Sequence, residues 1–255
     1  MRPCLSVVIV ARNEAARLPS LLADLAGAVD GLHELVVVDG SSRDGTPVLA
    51  RLAGARVIHG QGGRGGQLAA GVAATEGTWL LLLHADTRLP TGWRALVERA
   101  MAEGERRAWA FRLGIEGGGA GLRLVEALVG LRSRWRQLPY GDQGLLIARS
   151  WLAAAGGIQP IPLMEDLDLV LRLRRRGPVQ LLPATLVVSA RRWRHRGVIG
   201  TALANMRLRR AWRRGESPER LAARYLSGTE PQQAQGEYQK AQRRCRGSSS
   251  QPWAS

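Results

Sequence analysis

TWLLLLHAD, Thr78 to Asp86, is the stretch that decides the fold class. Thr78 to Leu83 is an apolar run of strand length with no polar alternation. That pattern predicts a strand covered on both faces, as in a parallel sheet. The run stops at His84-Ala85-Asp86, where polar side chains replace apolar ones. Working upstream, LSVVIVA (Leu5 to Ala11), ELVVV (Glu34 to Val38) and Ala55 to His59 have the same character and predict three earlier strands. Between them, Glu14 to Val29 carries Leu18, Leu21, Leu22 and Leu25 at helical spacing. Further helices are expected from about Thr46 to Ala53 and from about Gln67 to Thr75. Strands alternating with helices form βαβ units and a mainly parallel sheet, whose ligands bind at the carboxyl ends of the strands. Arg12-Asn13-Glu14, Asp39 and Asp86 all stand at such ends, so three strand ends offer polar residues to one crevice.

Working downstream, strands are expected at Trp109 to Leu113, Leu145 to Ala148 and Leu181 to Val188. Helices are expected at Ala120 to Trp135, Glu165 to Arg176, Gly197 to Arg214 and Ser217 to Tyr225, the last with Ser217 as N-cap and Pro218 at the first position. From Ser227 the chain is polar and poor in aliphatics, the composition of a disordered tail. The expected organisation is therefore one α/β domain over residues 1–190, a basic helical extension over 191–226 and a tail over 227–255.

The length of 255 residues allows one such domain with a sizeable core, and the 45% apolar content is ordinary for a globular chain. Most of the eight tryptophans read as core residues. A net charge of +16, nearly all from arginine, fits an anionic partner and fits an arginine-preferring genome equally well. Cys4 and Cys245 lie near opposite ends without metal-type spacing, which argues against a disulfide framework or zinc site and for a reducing cytoplasm. The first residues lack the features of a signal peptide, and no stretch approaches the ~20 apolar residues of a membrane span. No DNA- or RNA-binding motif is present.

His84 and Asp86 alternate at a strand end, so both point to one side. An imidazole and a carboxylate so placed can hold Mn²⁺ or Mg²⁺; Asp86 can also cap the helix that follows. Asp39 can accept hydrogen bonds from a ribose hydroxyl or a base N–H, or close its own turn. Gly62-Gly63-Arg64-Gly65-Gly66 offers backbone N–H groups and one guanidinium to an anion, or forms a mobile loop; it matches neither the P-loop nor the dinucleotide fingerprint. Glu165 and Asp166 open a helix, where acids suit the helix dipole and where one of them can serve as a general base. Tyr140-Gly141-Asp142-Gln143 is a polar loop that can shape an acceptor or donor-sugar pocket, or simply turn the chain.

Taken in order, LSVVIVARNE, ELVVVDGSSRDGT, GRGGQLAAG, WLLLLHADT and MEDLDLVLRLRRRG resemble the family 2 glycosyltransferases of the GT-A fold, over about Leu5 to Arg176. HADT in place of the usual DAD, with YGDQG, MEDLD and SPERLA, is closest to a bacterial subgroup associated with arsenosugar or carotenoid-type substrates. The resemblance implies a Rossmann-like, mostly parallel sheet flanked by helices, with 1–90 as a nucleotide-binding half and 91–190 as an acceptor half. It also implies transfer from a nucleotide-diphosphate sugar, by family habit a UDP-sugar, with inversion. It places Asp39 on the uracil or ribose, with Ala11, Arg12, Asn13, Glu14 and Ala85 beside the nucleotide. Arg64 would reach the base or diphosphate, Asp86 would ligate the metal with His84 in support, and Asp166, with Glu165 second, would be the base. The acceptor, a small molecule or a lipid-linked one, is not specified. The Arg191 to Arg214 segment, with Trp193, Ile199, Leu203 and Trp212 among its cations, suits an anionic membrane surface, so the protein is expected in the cytoplasm, peripherally on the inner face of the membrane. Two competing functions are a nucleotidyltransferase, against which the absent phosphate loop after the first strand argues, and a non-catalytic binder of membranes or anions.

Overall fold

The computed structural model describes residues 4–26 and 32–227. Its first half follows the strand–helix alternation: β1 (Leu5–Ala11), α1 (Leu18–Ala26), β2 (Leu32–Asp39), α2 (Thr46–Leu52), β3 (Arg56–His59), α3 (Gly63–Ala73) and β4 (Trp79–His84). The second half is less regular: β5 (Thr87–Arg88), α4 (Trp93–Ala102), β6 (Ala108–Ile115), α5 (Ala120–Arg136), β7 (Leu145–Ala148), α6 (Arg149–Ala154), α7 (Glu165–Arg174) and β8 (Val179–Val188). Three helices close the described chain, α8 (Arg191–Arg196), α9 (Val198–Arg213) and α10 (Pro218–Ser227).

All strands join one eight-stranded sheet in the order β3-β2-β1-β4-β7-β6-β8-β5. The half from β3 to β4 is wholly parallel. Beyond it β7 runs antiparallel to both β4 and β6, while β6 and β8 are parallel. The sheet is therefore mixed, with the expected parallel order confined to the first half and to β6–β8. Alternate side chains of each strand enter opposite faces. Val7, Ile9, Leu81 and Leu83 pack with Leu18, Leu21 and Leu25 of α1 and Trp93 and Val97 of α4. Val8, Val10, Leu80 and Leu82 pack instead with Leu68 of α3 and Leu169 and Leu173 of α7. Both faces of β1 and β4 are thus dry, which is why their sequences read as unbroken apolar runs.

Two helix starts differ from the sequence reading. Residues 14–17 form a turn in which Arg17 and Leu18 both donate to the Glu14 carbonyl, and α1 begins only at Leu18. The expected end of that helix, 27–29, and the tail beyond Ser227 lie outside the described residues. Helix α3 begins at Gly63, four residues before the expected start, because its glycines let its first turn lie against neighbouring backbone. A Cβ on Gly63 would meet Pro162 at 2.7 Å, one on Gly65 would overlap the carbonyls of Gln159 and Ile161, and one on Gly66 would overlap the Gln61 carbonyl. Close packing, neither a loose loop nor an open cradle, uses the glycines here.

The tryptophans divide. Trp79, Trp93 and Trp109 are buried as expected, with the rings of Trp79 and Trp109 5.7 Å apart, whereas Trp135 stands 77% exposed. The basic C-terminal helices fold back on the domain: Leu208 of α9 and Leu221 of α10 are buried against Leu163. No helix among the described residues is long and apolar enough to cross a membrane.

Candidate active site

The loops after β1 and β2 are bound to each other. Asn13, in the left-handed region at φ 54°, donates its N–H to Ser42 Oγ (2.8 Å) and accepts the Arg43 N–H on Oδ1 (2.8 Å). Asp44 accepts the N–H groups of Ala15 and Thr46, each at 3.0 Å, so its carboxylate joins the two loops as well as closing its own turn. Glu14 donates its N–H to Thr46 Oγ1 at 2.9 Å. Arg12 stays exposed beside this loop pair.

Register then aligns the strand ends. Asp39 pairs with Ala11, and Val10 with His84, so Asp39, Ala11 and Ala85 stand level across β2, β1 and the end of β4. Ala11 and Ala85 are buried, and Ala85 donates to the Val10 carbonyl at 3.1 Å. Asp39 is 2% exposed; its Oδ2 accepts the Ser42 N–H at 3.1 Å and lies 3.6 Å from His59 Nδ1, while its Oδ1 accepts no hydrogen bond from the described residues. A buried carboxylate oxygen without a donor is costly unless something outside the chain supplies one. Gly40 follows because a Cβ there would overlap the amide of the buried Gln67.

Beyond His84 the site opens into a cavity of about 410 Å³, walled by β4, the 140–142 loop, α7, the start of α8, α9 and α10. His84 and Asp86 enter it from the strand end; Glu165 and Asp166 face them from the first turn of α7; Arg64, Arg191 and Arg209 add three guanidiniums. Among the described residues no three His, Cys, Asp or Glu side chains gather as a metal cluster, so His84 and Asp86 supply two donors and no more. Gly141 lies between the facing groups: a Cβ on it would come 3.1 Å from His84 Nε2 and 3.4 Å from Asp166. Its N–H donates to Asp166 Oδ2 at 2.8 Å, and Asp166 Oδ1 accepts the Leu167 N–H at 2.7 Å. Two backbone donors thus hold Asp166 in a fixed orientation.

Glu165 is 3% exposed. Burial, then the neighbouring Asp166 charge, push its carboxyl up to about 7, with Arg64 pulling the other way. For Arg64, burial opposes the charge, but Tyr225, Glu165, Asp166 and Asp86 outweigh it and hold its proton more firmly than usual. Glu14 is also raised, chiefly by burial; Arg191 opposes this through a 2.7 Å bond to Glu14 Oε1, while Oε2 accepts nothing from the described residues.

The sequence-predicted residues thus fall into two neighbouring groups. Arg64, His84, Asp86, Tyr140, Asp142, Glu165 and Asp166 line the cavity. Ala11, Arg12, Asn13, Glu14 and Asp39 belong to the adjoining strand-end loops and do not line it. Gln143 is fully buried: its Oε1 accepts from Ser133 Oγ (3.0 Å) and Tyr140 N–H (3.3 Å), and its Nε2 donates to the Phe111 carbonyl (2.9 Å). It supports the pocket loop from behind and does not line the cavity. Asp168 is turned away, bonded to Arg172 at 2.8 Å. Sequence reasoning missed the C-terminal cations as cavity residues. Arg191 reaches Glu14 across 177 positions, and the guanidiniums of Arg132 and Arg209 lie over the Tyr140 ring, 3.6 and 5.6 Å from its centroid, contacts without a local signal in the sequence.

The fold and this site define an α/β protein whose cavity opens at the carboxyl ends of parallel strands and sets carboxylates against arginines. Residues 6–152 match the model of glycosyl transferase family 2, and the chain belongs to that family. It is 39% identical over 94 residues to a PGL/p-HBAD biosynthesis glycosyltransferase of Mycobacterium bovis, covering 34% of this chain and 37% of that one. It is 35% identical over 92 residues to the glucosyl-3-phosphoglycerate synthase of Mycobacterium tuberculosis, covering 32% and 28%. The chain spans well under half the length of these relatives. The crystal structure of that synthase in complex with Mn²⁺, UDP and glucosyl-3-phosphoglycerate is similar with a TM-score of 0.54 at 25% identity, over 73% of this chain and 71% of that one. The GT-A architecture expected from the sequence is the architecture of the chain.

Proposed function

We propose that the protein transfers a sugar from a nucleoside-diphosphate donor, in the first instance a UDP-sugar, to a hydroxyl acceptor, with inversion at the anomeric carbon. One observation carries this reading: a single cavity holds His84 and Asp86 on one side and Glu165 and Asp166 on the other. A donor can be held on the first pair while an acceptor meets the second. The similar synthase, crystallised with Mn²⁺ and UDP and also with Mg²⁺ and UDP, supports the choice of ligands.

Asp39, with its unpartnered Oδ1, accepts from the ribose or the base, and the 11–14 loop and Ala85 border the nucleotide. The donor set of Asp86 and His84 fits Mn²⁺ or Mg²⁺, which take few protein ligands and fill their remaining positions with phosphate oxygens and water. The imidazole nitrogen leans toward Mn²⁺. When bound, that ion neutralises charge on the departing diphosphate. Arg64, fixed close to Asp86 and the α7 acids, stabilises the same charge from the protein side.

Asp166 is the base. Its backbone bonds orient it toward the cavity, where it takes the acceptor hydroxyl proton as the acceptor oxygen bonds to the anomeric carbon. The bond from that carbon to the diphosphate oxygen breaks, and the nucleoside diphosphate leaves with the electron pair. Glu165 stands behind Asp166 as the second acid, and Tyr140 and Asp142 border the acceptor side. The acceptor is a small molecule or a lipid-linked one, met on the cytoplasmic side at the membrane surface where the Arg191–Arg214 segment is held.

The test is calorimetric titration of UDP and GDP into the protein and into Asp86→Ala, with and without Mn²⁺. Mn²⁺-dependent binding of one nucleotide, lost in the variant, supports the reading and identifies the donor base. No binding of either nucleotide with any metal overturns it.

A further inference from the structure

Helix α5 is amphipathic with an apolar stripe facing out of the protein. Leu124, Leu128, Leu131 and Trp135, spaced four, three and four apart, fall within about 60° of arc on an ideal helix. Together with Ile199, Leu203 and Met206 of α9, spaced four and three, they are between 40 and 77% exposed. Seven large apolar side chains in solvent on two adjoining helices demand an explanation.

The two helices run side by side and in the same direction. Near their starts Gly121 faces Val198, to which a Cβ on the glycine would come within 3.4 Å. Eleven residues on in each helix, Arg132 and Arg209 meet over the ring of Tyr140. About these contact lines the α5 stripe is turned by about 60° in one sense and the α9 stripe by about 95° in the other. For parallel neighbours those rotations bring both stripes to the same side. Val125 and Val129 of α5 pack on the core, and Thr201 and Leu208 of α9 are buried, so the opposite sides of the pair face the protein.

Arginines border this surface. Arg123 and Arg134 stand exposed on the outer side of the α5 stripe and Arg207 on that of α9, while Arg210 and Arg213 continue the α9 stripe. Helix α9 contains no acid, and the one acid of α5, Glu126, is turned inward to accept the Ile115 N–H at 2.6 Å. Apolar side chains between long cationic ones match the boundary of an anionic bilayer, with hydrocarbon below and phosphate at the rim. A second copy would cover the apolar stripes but press arginine rims together.

We infer that the α5–α9 pair seats the protein on an anionic lipid surface, α5 supplying most of the apolar contact and α9 most of the charge. Because α9 also lines the cavity, through Asn205, Leu208 and Arg209 on sides turned from its stripe, one helix joins the lipid surface to the cavity wall, and the acceptor is an amphiphile. This last consequence rests on the transfer proposed above; the docking itself does not.

The experiment is flotation of the full chain with vesicles of phosphatidylcholine alone and with about a third phosphatidylglycerol, at low and physiological salt. The expected result is binding to the anionic vesicles at both salts. Leu124→Gln/Leu128→Gln and Trp135→Ser should each lose it by about tenfold or more, and Arg134→Gln and Arg210→Gln by roughly fivefold each. All four variants should retain Mn²⁺-dependent nucleotide binding. Binding only at low salt, indifferent to the leucine and tryptophan changes, would overturn the docking surface and leave general electrostatics. So would a wild-type dimer in sedimentation that the leucine changes dissociate, which assigns the face to a second copy. A wild-type chain that binds nucleotide but does not float with anionic vesicles sinks this inference alone; a wild-type chain that floats but binds no nucleotide sinks the transferase reading alone.

Discussion

Replacing Glu165 by glutamine should stabilise the protein, and more so as pH rises. The side chain is 3% exposed and its carboxyl titrates near 7, raised from 4.5 first by burial and then by Asp166, with Arg64 compensating in part. A folded-state value above the unfolded one means that the fold favours the protonated form. The native state therefore keeps its full stability below about pH 4.5 and loses it progressively as pH rises through 7. The difference between 4.5 and about 7 corresponds to about 3 kcal/mol once the group is ionised in both states, at about 1.4 kcal/mol per tenfold in acidity. Near pH 5 the same linkage leaves only about 1 kcal/mol.

Glutamine keeps the shape and removes the titration. The expected gain in melting temperature for Glu165→Gln is then roughly 6–12 °C at pH 8.5 and a few degrees at pH 5, using about 2–4 °C per kcal/mol for a domain of this size. Thermal unfolding of both proteins across that pH range, in metal-free buffer without nucleotide, reads the difference directly. Other titrating groups, including the raised Glu14, cancel between the two curves. A difference that stays flat from pH 5 to 8.5, or a variant less stable throughout, would refute the argument. The second outcome would mean that attraction to the Arg64 charge outweighs the cost of burial.

Asp166→Asn should leave UDP binding within about twofold and lower transfer by roughly 10²-fold or more, read as product formation at saturating donor; near-normal transfer would remove it from the base role. Asp39→Ala should weaken UDP binding by roughly tenfold to a hundredfold without changing its Mn²⁺ dependence, measured by calorimetry, since it removes acceptors for the nucleoside and no metal ligand. Gly40→Ala should lower stability by about 1–3 kcal/mol in urea unfolding, because the new Cβ takes the space of the buried Gln67 amide. Gln143→Leu should cost a similar ~1–3 kcal/mol, by stranding the buried Ser133 hydroxyl and Phe111 carbonyl, and should reduce transfer with little change in UDP affinity.

What could be read from the sequence follows from what was local. The strands β1, β2 and β4 were legible because both of their faces are covered, which forces unbroken β-branched or leucine runs. The ends of those strands were legible because each run stops at a polar residue. The antiparallel turn of β7 was not legible: Leu145–Ala148 is as apolar as a parallel strand, and direction is set by the chain's route through α5 and the 141–143 turn. That Asp86, His84, Glu165 and Asp166 line one cavity was legible because each ends or follows a strand or opens a helix, positions with a fixed direction in this kind of fold. Gln143 looked like a pocket residue because a polar loop side chain is usually in solvent, and only the structure shows it spent on α5 and β6.

The arginines are the harder case, because composition gives their number and not their distribution. The structure sorts them by what they face. Arg64 lies among Glu165, Asp166 and Asp86, and Arg191 binds Glu14, so these cations compensate carboxylates that the site holds out of water. The Arg132 and Arg209 guanidiniums lie over the Tyr140 ring and tie α5 to α9 beside the cavity wall that Tyr140 and Arg209 line. Arg123, Arg134, Arg207, Arg210 and Arg213 stand exposed around the outward apolar stripes. An arginine-preferring genome would explain the choice of arginine over lysine at all these positions. It does not account for apolar side chains alternating with cations on the one side of α5 and α9 that faces away from the core. That arrangement is one of position, and position is what a binding surface selects.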